Sequence, residues 1–444
     1  MMRLFAHHRI TSFQIIVAGF IALILVGTLL LSLPAANAGP GQAGWMDCLF
    51  TATSAVCVTG LVVRDTATSW SPFGQAVILL LIQIGGMGVV TIAVFLSFLS
   101  GRKIGLVQRS VMQESISAPQ VGGIVRLTRF IILAALSIEA IGAVLLAAPM
   151  ISEFGPGKGI WYAVFHSVSA FCNAGFDLMG VREAFSSLTG FSQHLWVNIV
   201  LIALITVGGI GFLVWSDIRD HKFHWKAYKL QSKVVLLTSG ILIVLPALWF
   251  FFFEWPSLPA GQRILPALFQ SVTLRTAGFN TMDLGSVSAP GQAMMIACML
   301  VGGSPGSTAG GMKTTTLAVL VMSAWTVFRR KENVAFLGRR ISDDTVRSAG
   351  AILMMYALLF WVSGLAISRI EHLSLLSCLF ETASALGTVG LSLGVTSSLS
   401  APSRLILIAL MFLGRVGGLT LIYAAQSARR AQKTTLPLEK ITVG

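Results

Sequence analysis

The residues best suited to chemistry in this chain lie in four short phrases: Cys57-Val58-Thr59-Gly60, Cys172-Asn173-Ala174-Gly175, Arg275-Thr276-Ala277-Gly278 and Gly387-Thr388-Val389-Gly390. Each ends in glycine followed by an apolar residue (Leu61, Phe176, Phe279, Leu391), and each follows an aromatic-led segment opening at Phe50, Phe165, Phe269 or Phe380. Successive glycines are 115, 103 and 112 residues apart. What the phrases offer is backbone. A dehydrated monovalent cation needs a ring of oxygen dipoles in place of its water, and extended backbone from several segments supplies stacked carbonyls for that purpose. Glycine lets the chain turn those carbonyls inward, often at positive φ, where a Cβ clashes. Few carboxylates lie at the phrases; Asp177 and Asp283 follow them outwards, which fits a monovalent ion. One such phrase is an ordinary turn. Four in one context predict an ion pathway built from four quasi-equivalent parts.

The elements that must hold these phrases are membrane elements. The chain has 444 residues, is 55% hydrophobic and 11% charged, and has a mean hydropathy of +0.82, values outside the range of soluble globules. Apolar stretches near the ~20 residues needed to cross a bilayer run over 13–33, 74–99, 124–150, 195–215, 234–253, 292–328, 349–370 and 405–425. That predicts eight spans with both termini on one side. Ala36-Asn37-Ala38 looks like a signal-peptide cleavage site, but the preceding apolar run is longer than a signal h-region, so 13–33 is read as a span. Between the odd and even spans lie segments too short to cross: 45–56, 160–171, 263–274 and 373–386. As helices of about three turns they would reach about halfway into the core. A half-helix, a glycine phrase and a return to the same face make a re-entrant hairpin, tolerated at depth only if buried in protein or lining water.

The unit is therefore span, half-helix, phrase, span, repeated four times in one orientation. The expected fold is an all-α polytopic membrane protein with four re-entrant pore loops around one pseudo-fourfold axis. Its units are 1–100, 101–216, 217–330 and 331–428, followed by a basic tail, 429–444. Phe165–Ser169 and Phe269–Thr273 are close copies, and Phe50–Ser54 and Phe380–Ser384 form a second pair. Half-helix C-termini aimed at a central cavity would favour a cation there. The second crossings carry glycine clusters (Gly85-Gly86-Met87-Gly88, Gly208-Gly209-Ile210-Gly211), read as close helix packing.

Charge agrees with this topology. Of the 31 Lys and Arg, 22 fall in 1–11, 101–129, 216–233, 328–347 and the tail from Arg429, which the positive-inside rule assigns to the cytoplasm. The net charge of +14 thus reflects topology and not nucleic-acid binding. The outer segments are mildly acidic. The five cysteines have no disulfide or metal spacing and read as small buried residues.

The sixth span is interrupted by Gly302-Gly303-Ser304-Pro305-Gly306-Ser307-Thr308-Ala309-Gly310-Gly311-Met312-Lys313. Five glycines and a proline cannot continue a helix. Met312 before Lys313 departs from the nucleotide-binding G-x-x-x-x-G-K-[ST]. A helix kink is one reading; a mobile intramembrane loop under the phrases is favoured. Arg415, inside the last span, needs partners at that depth, and it would repel a cation arriving beneath the phrases. Lys313 either closes the loop or snorkels to the interface. Glu139 is a second intramembrane charge with no evident partner. Arg275 could anchor the phrase backbone or pair with Glu381 or Asp177.

Phe269–Asn280 (FQSVTLRTAGFN), Phe165–Phe176 (FHSVSAFCNAGF) and the glycine-rich 302–313 resemble the Trk/Ktr/HKT superfamily of potassium transport proteins over about 13–425, and most closely its Ktr-type membrane subunit. The resemblance implies a selectivity filter lined by carbonyls of Val58, Thr59 and Gly60, of Asn173, Ala174 and Gly175, of Thr276, Ala277 and Gly278, and of Thr388, Val389 and Gly390. Glycine at position 60, where sodium-preferring members carry serine, implies potassium; the residue two before each glycine is not uniform. The resemblance also implies that 302–313 is the gate, with Arg415 bonded to its carbonyls. It further implies a homodimer in the cytoplasmic membrane and a separate ring of Rossmann-type subunits binding adenine nucleotide, while this chain needs no cofactor beyond the transported K⁺. The basic loops are candidate docking surfaces for that ring or for anionic lipid. Channel-like conduction is the leading mechanism, and an ion-coupled secondary transporter, with Na⁺ or H⁺ as co-ion, is the alternative. No catalytic constellation occurs in the spans, so no enzyme is expected.

Overall fold

The computed structural model describes residues 11–39, 41–89, 91, 105–116, 118, 120–222, 224–418 and 420. The basic N-terminal stretch, the 92–99 end of the second span, part of the 101–129 segment, the 421–425 end of the last span and the tail 429–444 lie outside the described residues.

The chain is mostly helical. Besides single turns, the helices are α1 (Ser12–Leu31), α2 (Trp45–Val56), α3 (Pro72–Met87), α4 (Leu106–Ile116), α5 (Ile124–Phe154), α6 (Pro156–Phe171), α7 (Leu195–Gly209) and α8 (Phe212–His221). They continue as α9 (Leu230–Phe253), α10 (Ala260–Thr273), α11 (Ala289–Met299), α12 (Thr314–Phe328), α13 (Asp343–Glu371), α14 (Leu375–Gly387) and α15 (Ala401–Val416). The expectation of an all-α chain needs one correction: Ala335–Phe336 and Arg339–Arg340 pair as a short antiparallel hairpin between α12 and α13. Gly338, at φ +76°, turns it.

By length and apolarity α1, α5, α9 and α13 are long enough to cross a bilayer, and the bent pair α7–α8 would make a fifth; α3, α12 and α14 are shorter apolar helices. The long helices carry apolar residues on their exposed as well as their buried faces, the pattern of a membrane span. Val144 on α5 is 74% exposed and Met354 on α13 is 71% exposed. Their inner faces pack on the half-helix that follows each: α1 on α2, α5 on α6, α9 on α10 and α13 on α14.

Local chemistry starts and stops these helices. A capping box opens α1, where Gln14 N donates to Thr11 Oγ1 at 3.3 Å and Thr11 N to Gln14 Oε1 at 3.0 Å. Three of the second helices, α3, α11 and α15, share an opening with serine at the N-cap and proline in the first turn (Ser71-Pro72, Ser288-Ala289-Pro290, Ser400-Ala401-Pro402). At their far ends α3, α7 and α15 stop short of a glycine with positive φ: Gly88 (+87°), Gly211 (+96°) and Gly417 (+87°). The span expected to run unbroken over 195–215 therefore bends by 97° between α7 and α8. Its glycine cluster reads as packing in sequence, and part of it is: a methyl on Gly208 would overlap the Phe171 carbonyl. Gly211 adds the break, because its φ lies where a side chain is strained.

Candidate functional site

The half-helices α2, α6, α10 and α14 form the centre of the molecule. Their leading aromatics, Phe50, Phe165, Phe269 and Phe380, are all fully buried, as are Leu61, Phe176, Phe279 and Leu391 after the phrase glycines. At the end of each half-helix the chain reverses through a residue with left-handed backbone: Val58 (φ +56°), Asn173 (+58°), Thr276 (+65°) and Thr388 (+52°). Two positions later the glycines again take positive φ: Gly60 (+91°), Gly175 (+68°), Gly278 (+84°) and Gly390 (+95°). Left-handed backbone is uncommon for threonine or valine, so four such residues at matching positions mark a shared, over-determined turn.

The turns are held through their N–H groups. Thr59 N donates to Ser54 O, Ala174 N to Ser169 O and Val389 N to Ser384 O, each at 2.8 Å; Ala277 N donates to Thr273 O at 2.9 Å. The last half-helix hydroxyl fixes the far side of each phrase in one of two ways. Ser54 and Ser384 accept from Gly60 N (3.1 Å) and Gly390 N (3.0 Å), whereas Ser169 and Thr273 donate to Phe176 O (2.7 Å) and Phe279 O (2.6 Å). This division matches the two pairs of similar sequences. None of the carbonyls of Val58–Gly60, Asn173–Gly175, Thr276–Gly278 or Thr388–Gly390 accepts a hydrogen bond from a described residue. Buried carbonyls are ordinarily paired, so this set is reserved for something else.

The four phrases close into a ring in chain order. A methyl on Gly60 would overlap Ala174 O and lie 3.0 Å from the Gly175 Cα. One on Gly175 would lie 2.8 Å from both Ala277 O and the Gly278 Cα, and one on Gly278 would lie 2.5 Å from Val389 O. One on Gly390 would overlap Thr59 O, 3.0 Å from the Gly60 Cα. Here glycine is required on two grounds at once, φ and the approach of a neighbouring strand. On one side the four glycines floor a cavity of about 230 Å³, whose wall includes Asp65, Asp177 and Asp283.

On the other side sits the 302–313 loop. Gly302 N donates to Met312 O (2.8 Å) and Gly303 N to Gly310 O (3.3 Å), so the segment folds back on itself. It is tied to the α7–α8 break by Ser304 N to Gly209 O (3.1 Å), Thr308 N to Gly208 O (3.3 Å) and Phe212 N to Gly306 O (2.6 Å). Its far side presses on the fourth phrase, where a methyl on Gly310 would overlap Thr388 Oγ1 and one on Gly311 would lie 2.9 Å from Gly387 O. The Arg415 guanidinium donates to Thr308 O and, at 2.9 Å, to Gly86 O, with Gly85 O as a third acceptor. It thus holds the loop and the α3 terminus together. Lys313 Nζ donates to Ala309 O (2.9 Å) and Gly310 O (3.4 Å), closing the loop instead of reaching for the interface. A cavity of about 300 Å³ opens below, lined by Gly306, Met312, Lys313, Arg415 and, from α4, Glu114 and Ser115.

Other residues singled out in sequence have found partners. Arg275 neither touches the phrase backbone with its guanidinium nor meets Glu381 or Asp177; it points outwards to Ser239 O (3.5 Å) and Ser239 Oγ (3.4 Å) on α9. Glu381 pins the loop after the fourth phrase, accepting from Ser392 Oγ (2.7 Å), Leu393 N (3.0 Å) and Thr396 Oγ1 (2.5 Å). Glu139 accepts from Gln83 and Cys172. Sequence reasoning missed the group in which Asp47 takes both Arg64 (2.6 Å) and Arg404 (2.8 Å), joining the first half-helix to α15.

A mostly helical chain with membrane-length apolar helices, and a central ring whose phrase carbonyls accept no hydrogen bond from a described residue, fits the class of cation transport proteins, and comparison with known proteins shows that class. The family model described as TrkH, cation transport protein, matches residues 6–433, and the chain belongs to this family. It is 38% identical over 447 residues to the potassium/sodium uptake protein NtpJ of Enterococcus hirae, covering 98% of each chain. It is 36% identical over 422 residues to the Ktr system potassium uptake protein B of Bacillus subtilis, covering 94% of this chain and 93% of the relative. The solved structure of the potassium transporter TrkH from Vibrio parahaemolyticus superimposes with a TM-score of 0.75 at 20% identity, covering 96% of this chain and 87% of that one.

Proposed function

We propose that this chain is the membrane subunit of a potassium uptake system and conducts K⁺ through a filter made by the four phrases. The observation that carries the reading is the closed ring of Gly60, Gly175, Gly278 and Gly390, with phrase carbonyls that accept no hydrogen bond from a described residue. Carbonyls free of protein donors can replace an ion's hydration shell. The lining set is Val58, Thr59, Gly60, Asn173, Ala174, Gly175, Thr276, Ala277, Gly278, Thr388, Val389 and Gly390. Eight crossings arranged as four parallel units (1–100, 101–216, 217–330, 331–428) place the phrases at one depth, with both termini cytoplasmic.

The loop 302–313 acts as the gate and Arg415 as its latch. The loop's bonds to the α7–α8 break and to Arg415 support this role, because they join it to two other units. Regulation falls to a separate cytoplasmic ring of Rossmann-type subunits that bind adenine nucleotide and dock on the basic loops of a homodimer. The name of the Bacillus relative, a component of a Ktr system, supports a multi-subunit assembly. The Enterococcus relative's name joins sodium to potassium, so sodium belongs in the test.

Purified protein in liposomes should exchange rubidium passively with no proton or sodium gradient. A strict requirement for a co-ion would sink conduction and favour a coupled transporter. Affinity purification from the native membrane should bring down a soluble nucleotide-binding subunit; recovery of the chain alone from gently solubilised membrane would count against the assembly.

A further inference from the structure

A buried carboxylate stands behind the second phrase and takes no part in the pathway described so far. Glu139, midway along α5, is 5% exposed, and an ionisable side chain among apolar helices is expensive without partners. Its Oε1 accepts from Gln83 Nε2 on α3 at 3.1 Å and from Cys172 Sγ at 3.7 Å. Cys172 Sγ is also 4.0 Å from Gln83 Oε1, so the three side chains close a triangle. The Glu139 backbone carbonyl accepts from Ser167 Oγ at 2.6 Å, tying α5 to α6. Three helices thus converge on one residue.

What this triangle holds is the root of a phrase. Cys172 is the C-cap of α6 and immediately precedes Asn173, whose φ is +58°. Left-handed backbone persists where its surroundings over-determine it, so fixing the Cys172 side chain helps to aim the carbonyls that follow. The fit is tight on the α3 side, where a Cβ on Gly86 would lie 2.8 Å from Cys172 Sγ. The third unit lacks the arrangement. Ser271 Oγ donates to the Ile243 carbonyl as Ser167 Oγ does to that of Glu139, which puts an isoleucine at the matching place. Arg275, at the position of Cys172, turns away to Ser239.

We infer that Glu139 is a positioning residue for ion discrimination: by holding Cys172 and Gln83 it sets the backbone of the second phrase, and with it the spacing of carbonyls across the ring. The inference rests on the proposed filter.

The test is the K⁺/Na⁺ flux ratio of purified protein in liposomes. Glu139→Ala should lower the ratio by about tenfold while K⁺ flux persists, the upper end of what one lost hydrogen bond is worth. Cys172→Ala, which deletes one sulfur and leaves the carboxylate with Gln83, should shift the ratio the same way, and it carries the test alone if Glu139→Ala does not fold. Glu139→Gln keeps an oxygen acceptor at the same place and should stay within about twofold of the parent, because the geometry is retained. An unchanged ratio in Cys172→Ala and in any Glu139→Ala protein that folds overturns the inference. So does a Glu139→Gln protein as unselective as Glu139→Ala, which would assign the effect to charge and not to held geometry. A parent protein that does not discriminate between the ions overturns the filter reading itself, before any variant is compared.

Discussion

In the ring four glycines with φ of +91°, +68°, +84° and +95° occupy matching places, each packed against the next strand. On the side of the 302–313 loop nothing matches fourfold. Three second helices stop at a positive-φ glycine, while the remaining one gives way to a twelve-residue loop, and a single arginine from α15 bridges that loop to α3. Under the proposed function, with the ring as filter and the loop as gate, the difference follows from what each half touches. A bare ion has no preferred side, so the structure that solvates it gains from symmetry. A gate needs one movable part and a fixed frame, and symmetry would multiply the part that moves.

The contrast can be broken most severely at the ring. Gly278→Ala places a methyl 2.5 Å from Val389 O at a φ of +84°; the left-handed backbone alone costs roughly 1–2 kcal/mol for a residue with a Cβ. Rubidium uptake per unit of membrane-inserted protein should fall by more than about tenfold, since 1.4 kcal/mol is already a factor of ten; uptake near the parent level would remove the ring from the pathway. Gly60→Ser tests whether the ring discriminates as well as conducts. Its side chain would meet Ala174 O at a φ of +91°, so uptake should fall as it does for Gly278→Ala. In the flux that remains the K⁺/Na⁺ ratio should drop by about tenfold as the carbonyl spacing shifts, and an unaltered ratio would separate selectivity from this glycine.

Removing 304–309 should act in the opposite direction. Basal flux should rise by about threefold to tenfold, corresponding to a gate held shut by roughly 1 kcal/mol or slightly more. Equal flux with and without the segment would reduce it to a bend in the helix. The smallest effect is expected at the outer rim. Asp47→Asn loosens Arg64 and Arg404, but partly exposed ion pairs are each worth about 0–1 kcal/mol. Thermal stability should therefore fall by only a few degrees with the flux ratio unchanged, and a large change in that ratio would extend the selectivity structure outwards to the rim.

The ring was more legible in sequence than the surroundings of the 302–313 loop, and the reason is physical. Phe50, Phe165, Phe269 and Phe380 recur at fixed offsets from a glycine because every half-helix meets the same packing problem, and recurrence can be read without coordinates. The bend at Gly211 could not be read that way, since a glycine used for its φ and a glycine used for its size are the same letter. Arg275 illustrates a second limit: a long side chain preceding a phrase can swing in or out, and a serine 36 residues earlier decides which. For Glu139 the partners lie 56 and 33 residues away, on elements that only the tertiary fold brings together. The Ser–Pro openings of α3, α11 and α15 are equally plain in the sequence, recurring in three of the four units.

Arg415 gains a further meaning from the chain's being one molecule. Aligned on the positive-φ glycines, its counterparts on α3 and α7 are Gly86 and Gly209. In a pore assembled from four copies of one subunit, any residue is installed four times, and four guanidinium groups around a narrow axis would repel one another and every arriving cation; two unit charges 8 Å apart still interact by about 2 kcal/mol at an effective dielectric of 20. A single continuous chain frees each quarter to vary independently. The charge enters once, three carbonyls suffice to absorb it, and the other quarters stay small enough for the loop to pack against them.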